Sequence, residues 1–180
     1  MAKAGDVLKN PNGARLIFRK TAADTNGELL EVEMTYRPDS AKPPEHYHPY
    51  QEEHFQVLAG AVFTVIDGIH KTYLPGEDFT VPIAVPHWMR NTSEEEGRVI
   101  WQTLPAMRTE TFFETMWGLA ADGKGNPGLL QMAVLGQAYA DQFRLTSPPY
   151  GLQRFLFYIL APIGKLLGYK AEYPRYSQGD

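Results

Sequence analysis

Cysteine is absent from the sequence. Disulfides and thiolate metal sites are therefore excluded, and any metal must be held by His, Asp or Glu. Surplus positive charge is also lacking: the formal net charge is −4 and no run of Lys or Arg occurs. Few cations are available to neutralise phosphates, so a nucleic-acid partner is not expected. Long apolar runs are missing too. The longest, FLFYILAPI from Phe155 to Ile163, is far below the roughly 18–20 residues that span a bilayer, so no transmembrane segment is expected. The opening MAKAGDVLKNPNG has no apolar stretch of the kind a secretory signal needs, and a cytoplasmic location is expected. No Ser-His-Asp order, phosphate loop or nucleotide fingerprint supplies a catalytic group.

What is present divides near Pro105. Before it, short segments rich in β-branched and aromatic residues end at turn residues. In ELLEVEMTYRP, Leu30, Val32, Met34 and Tyr36 alternate with Glu31 and Glu33. That period of two reads as a half-buried antiparallel strand. HFQVLAG, AVFTVIDG, IHKTYLPG, EDFTVPIAVP and GRVIWQTLP follow. So many short, punctuated strands predict a sandwich or barrel.

After Pro105 the pattern turns helical. TETFFETMWGLAADG starts with Thr109 as a predicted N-cap and runs into the loop GKGNPG. PGLLQMAVLGQAYADQFR has Leu129, Met132, Leu135 and Tyr139 near helical spacing. Ser147-Pro-Pro then opens YGLQRFLFYILAPIGKLLG, apolar around most of its circumference and interrupted by Pro162. The fold class is mostly β: one antiparallel barrel over residues 1–106, followed by two or three α-helices over 107–180. A helix so apolar has to be buried, so the extension is expected to cap the barrel or form a homodimer interface, in preference to lying on a membrane surface or serving as a catalytic lid.

The chemistry concentrates in EHYHPYQEEHFQVLAG, Glu45 to Gly60, which holds three of the five histidines. In an extended segment His46 and His48 share a face about 6–7 Å apart. Two imidazoles so spaced can converge on one ion at roughly 2.1 Å each. Glu53 shares its face with apolar Phe55 and Val57 and is expected to point inward. Glu45, Glu52 and His54 are assigned to solvent, as is His70. Downstream, in LPGEDFTVPIAVPHWMRN, His87, Met89 and Asn91 share a face. His46, His48, Glu53 and His87 would form a cage of three imidazoles and one carboxylate around one divalent transition metal. Iron is the first choice, and manganese, nickel or zinc fit the same donors.

These residues resemble the two signature motifs of the cupin superfamily. The first is His46-Tyr-His48, four residues, Glu53, six residues, Gly60; the second is Pro75-Gly76-Glu77, then His87, three residues, Asn91. Ile83-Ala84 departs from the pattern, where a glycine is common. The resemblance implies a jelly-roll barrel with a metal at one end of its cavity. It also brings in a family that includes dioxygenases, isomerases, decarboxylases, storage proteins and sugar-binding regulators. The preferred reading is a dioxygenase-like metal enzyme acting on a small organic molecule, with Glu53 doubling as catalytic base. The inward residues Met34, Tyr36, Phe55, Met89 and Asn91 are candidates for the substrate pocket. A non-enzymatic small-ligand or metal-binding module is the first alternative, and a cupin-type isomerase or cyclase the second.

Overall fold

The computed structural model describes residues 2–124 and 127–177; Gly125 and Asn126 of the predicted GKGNPG loop lie outside them. Ten strands come first: β1 (Val7–Lys9), β2 (Arg15–Lys20), β3 (Leu30–Tyr36), β4 (His46–Tyr47), β5 (Glu52–Ala59), β6 (Val62–Ile66), β7 (Ile69–Tyr73), β8 (Asp78–Val81), β9 (His87–Asn91) and β10 (Gly97–Leu104). Helix α1 (Thr109–Leu119), a π-helical turn (Ala120–Lys124), α2 (Leu129–Ala138), a short strand β11 (Arg144–Leu145), α3 (Tyr150–Leu166) and a 3-10 turn (Pro174–Tyr176) follow.

Two antiparallel sheets face each other. One runs β1-β2-β3-β10-β5-β8 and the other β11-β4-β9-β6-β7. The alternation read from the sequence sorts the side chains between the faces. Glu53, Phe55 and Val57 of β5 are buried, as are His87, Met89 and Asn91 of β9. One apolar cluster gathers Phe55, Val57, Val62, Phe79, Val81, Met89 and Val99 between the sheets. Phe55 stacks between Phe79 and Trp101, at 4.9 and 5.5 Å.

Two motif residues explain their own identity. Gly60 has φ +80°, and a Cβ there would lie 2.7 Å from Gly97 Cα. Only glycine fits both the backbone and the space. Beside it, Asn91 donates from Nδ2 to Arg37 O and Glu95 O, and accepts at Oδ1 from Ser93 N–H and Oγ–H. Asn91 is thus a fully buried clasp between loops.

The extension is tied into the barrel. Ala106 and Phe113 enter the cluster formed by Leu8, Leu16, Phe18, Leu30 and Val32. The strand β11, which the sequence patterns do not reveal, pairs Arg144 with Tyr47 and Leu145 with His46. It thereby adds an edge to the sheet that carries the histidines. Thr109 opens α1 without capping it; its hydroxyl instead accepts from Gln51 Nε2, 2.9 Å away. α2 stops at Ala138, several residues before the predicted end, and Leu129 of its predicted stripe is exposed. α3 continues through Pro162. Its outward face leaves Phe155, Ile159, Ile163, Leu166 and Leu167 exposed. Among the described residues no helix is long and apolar enough to cross a membrane.

Candidate metal centre

The register of the second sheet assembles the site. His46 on β4 lies directly across from His87 on β9, and their rings are 4.4 Å apart. His48 follows two residues later, with its ring 5.2 Å from His46 and 5.4 Å from His87. One ligand atom from each of the three lies within 4.8 Å of the others. The opposite sheet sends in Glu53, whose side chain is 1% exposed. Its Oε1 is 3.2 Å from His48 Nε2 and its Oε2 is 3.0 Å from His87 Nε2.

Main-chain carbonyls decide which ring nitrogens face inward. Nδ1 of His46 meets Pro44 O at 3.0 Å, that of His48 meets Gln142 O at 2.6 Å, and that of His87 meets Val85 O at 3.0 Å. A carbonyl only accepts, so each Nδ1 carries the proton in the neutral ring and each Nε2 presents a lone pair. Such bonds are the usual outer support of metal-binding histidines.

Among the described residues, and with the rings neutral, two buried side-chain atoms are then left without hydrogen-bond partners: His48 Nε2 and Glu53 Oε2. A lone pair and a carboxylate packed this closely repel unless something positive lies between them. Adjacent ligands at right angles around an ion about 2.1 Å away stand about 3 Å apart, which matches the 3.0 and 3.2 Å observed. The donor set fits a divalent transition metal.

The electrostatics agree. Burial pushes Glu53 up, but the imidazoles of His48, His87 and His46 outweigh it and hold its carboxyl at about 2. Burial and the neighbouring His87 and His48 push His46 down to about 3. Glu53 as a carboxylate and His46 as a neutral imidazole are states a divalent ion needs, whereas the adjoining Glu53 carboxylate raises His87, whose proton an incoming ion must displace. Trp101 donates its indole N–H to Glu53 Oε1 at 3.0 Å and fixes that oxygen.

A model of the cupin domain matches residues 32–103, a span that takes in all four inward groups. The chain belongs to the cupin superfamily. This cupin is 38% identical to protein SchB of Streptomyces halstedii, over 57% of its own length and 68% of SchB. It is 31% identical to the probable oxidoreductase yanE of Aspergillus niger, over 95% of this chain and 71% of that protein. The second alignment takes in the helical extension as well. Among solved structures, KdgF from Halomonas sp. superposes with a TM-score of 0.51 at 18% identity, covering 58% of this cupin and 92% of KdgF. That likeness concerns the fold alone.

The predicted pocket residues have other surroundings. Phe55 and Met89 belong to the apolar cluster between the sheets, Met34 and Tyr36 pack against it half-buried, and Asn91 clasps loops. A small cavity of about 70 Å³ opens instead beside His46 and His48, walled by Gln51, Trp101, Thr109, Phe112, Phe113, Gln142 and Phe143. Five of these seven come from the extension, whose apolar pattern alone predicts a cap or an interface before any contact with the site. Phe143 stacks on His46 at 4.7 Å. Glu45, assigned to solvent, is half-buried and accepts from the Thr146 hydroxyl at 2.9 Å. Glu52 and His54 pair with each other at 2.6 Å on the outer face.

Trp101 could have been found from its alternation with Val99 and Thr103 in GRVIWQTLP. Gln142 and Phe143 had no signal, because they were read as helix and lie in the turn after α2.

Proposed function

We propose that this cupin is an oxidoreductase of dioxygenase type, using one metal ion, iron first, to act on a small organic molecule. The reading rests on the orphaned pair, His48 Nε2 and Glu53 Oε2, inside a complete set of three imidazoles and a carboxylate. The name of the yanE protein supports the oxidoreductase class. So does the cavity beside the histidines, whose wall outside the ligands is Gln, Thr, Trp and Phe and holds no acid–base pair for an isomerase.

His46, His48, His87 and Glu53 would hold the ion. When bound, it supplies Lewis acidity and, if it is iron, one-electron redox chemistry. The chain's own residues do the rest. The three carbonyl bonds to Nδ1 keep the imidazoles aimed inward, so little reorganisation accompanies binding. Glu53, ionised throughout the neutral range, serves first as the anionic ligand; with its pKa held at about 2 it accepts a proton only from a strongly acidified group. Phe112, Phe113 and Phe143 exclude water from the cavity.

Self-association belongs to the same reading: the exposed apolar face of α3 is covered by a second copy in a homodimer. Sizing of the wild-type protein beside an Ile163→Ser, Leu166→Ser variant tests this. A wild-type monomer would contradict it.

Oxygen uptake by ferrous-reconstituted protein, screened against aromatic diols, flavonols and thiols, tests the activity. Uptake with one class, lost in His87→Ala, is expected. Full metal loading with no uptake across the panel would favour a binding module.

A further inference from the structure

A larger cavity adjoins the one beside the histidines. It has a volume of about 220 Å³ and lies inside the helical extension, walled by Met116, Met132, Leu135, Tyr139 and Phe157. Phe112 and Phe143 line both cavities. Their rings stack at 5.7 Å, tilted by 29°, and Phe143 in turn lies on His46. These two rings form the shared wall of the two cavities, so a molecule seated among the helices lies next to the space beside the histidines.

Several polar groups of the larger wall are already engaged. Arg144 donates from Nε to Ala140 O at 2.6 Å and lays its guanidinium over the Tyr150 ring at 3.9 Å. Gln153 Nε2 donates to Leu145 O and Pro148 O. The Tyr139 hydroxyl donates to Ala171 O. Most of the surface left for a ligand is apolar and aromatic. An apolar cavity of about 150 Å³ admits a benzene ring, so this one has room for more than a single ring. The methionines at 116 and 132 let the wall adapt.

We infer that the extension, rather than the barrel, holds the body of the substrate, and that the substrate is an aromatic compound of more than one ring carrying an oxygen at the end nearest His46. This deepens the metal-enzyme reading and rests on it for the role of that oxygen. The cavity itself stands independently of the metal.

The probes are naphthalene, which tests the cavity alone, and 1-naphthol, whose hydroxyl can reach the metal end. Naphthalene is expected to bind the metal-free full-length protein, and to lose that binding in Met132→Trp or Met116→Trp, whose indoles fill the space. Metal content and circular dichroism should be unchanged in at least one of the two. Tyr158→Ser, on the exposed face of α3, should bind as wild type does. In protein loaded with Mn(II), the ring protons of 1-naphthol should relax faster than with Zn(II), and Met132→Trp should abolish the difference. Naphthalene binding that survives both tryptophan variants would overturn the proposal. So would a fully Mn(II)-loaded protein that leaves 1-naphthol relaxation untouched. Cavity binding by a protein that takes up no metal would instead uphold the cavity and remove the metal reading.

Discussion

His48 donates from Nδ1 to the main-chain carbonyl of Gln142, 2.6 Å away and 94 residues further along the chain. The bond joins a motif histidine of the barrel to a turn of the extension. It makes the helices part of the metal centre, because the carbonyl sets which nitrogen of His48 faces the ion.

The turn is held by the Gln142 side chain, whose Oε1 accepts from Arg108 N–H at 2.8 Å. Gln142→Ala keeps the carbonyl but frees the turn. Losing outer support of this kind lowers metal affinity about 10- to 100-fold. Chelator competition should show a loss in that range, while the melting temperature of the metal-free protein shifts little. Unchanged affinity would mean that His48 is oriented without the extension.

Trp101 offers a second test. Its ring packs on Phe55 and Phe113, and its N–H holds Glu53 Oε1. Trp101→Phe retains an aromatic ring and removes the donor. A hydrogen bond to a charged group contributes about 1.5–3 kcal/mol, and urea unfolding of the metal-free variant should register a loss of at least that size. Metal affinity should fall about tenfold as the carboxylate loosens.

Proton linkage gives a third. Burial pushes His87 down, but the adjoining Glu53 carboxylate outweighs it and raises the imidazole above its usual range. Below that raised pKa the metal-free protein carries a proton on His87, which an incoming ion must displace. Apparent affinity should therefore weaken as pH falls, with up to about one proton released from His87 per ion bound, and level off above its pKa. Calorimetry in buffers of different ionisation enthalpy measures the release. Affinity that does not weaken as pH falls below the raised His87 pKa would contradict this assignment.

Ala84 supplies a prediction about stability. Its φ is +62°, and its N–H bonds His48 O at 2.8 Å. An L residue in the left-handed region costs about 1–2 kcal/mol, and glycine gives back about 0.4–1 kcal/mol through the unfolded chain. Ala84→Gly should stabilise by about 0.5 kcal/mol and leave metal loading unchanged.

These residues also show what the sequence could convey. Alternation of Glu53 with Phe55 and Val57 in EEHFQVLAG points Glu53 inward, and the spacing of His46, His48 and His87 marks the candidate ligands, because strand periodicity and ligand geometry are both local. The substrate side was not legible. Met34, Tyr36, Phe55 and Met89 point inward by the same parity; Phe55 and Met89 lie in the apolar cluster between the sheets, and Met34 and Tyr36 pack against it half-buried. The cavity wall comes from Phe112, Phe113, Gln142 and Phe143, brought to the histidines by a two-residue strand and a turn. Neither has a periodic signal. Thr109 shows the same limit on a smaller scale: its type suits a helix cap, but Gln51 claims the hydroxyl.

On this reading four inward groups, and not their outward neighbours, hold one metal ion. Elemental analysis after reconstitution tests it most directly. Wild type should hold about one equivalent of a single divalent metal, as should Glu52→Ala and His54→Ala, whereas His46→Ala, His87→Ala and Glu53→Gln should lose it or bind far more weakly. Less than about a tenth of an equivalent in reconstituted wild type, or loss in Glu52→Ala with retention in Glu53→Gln, would contradict the account.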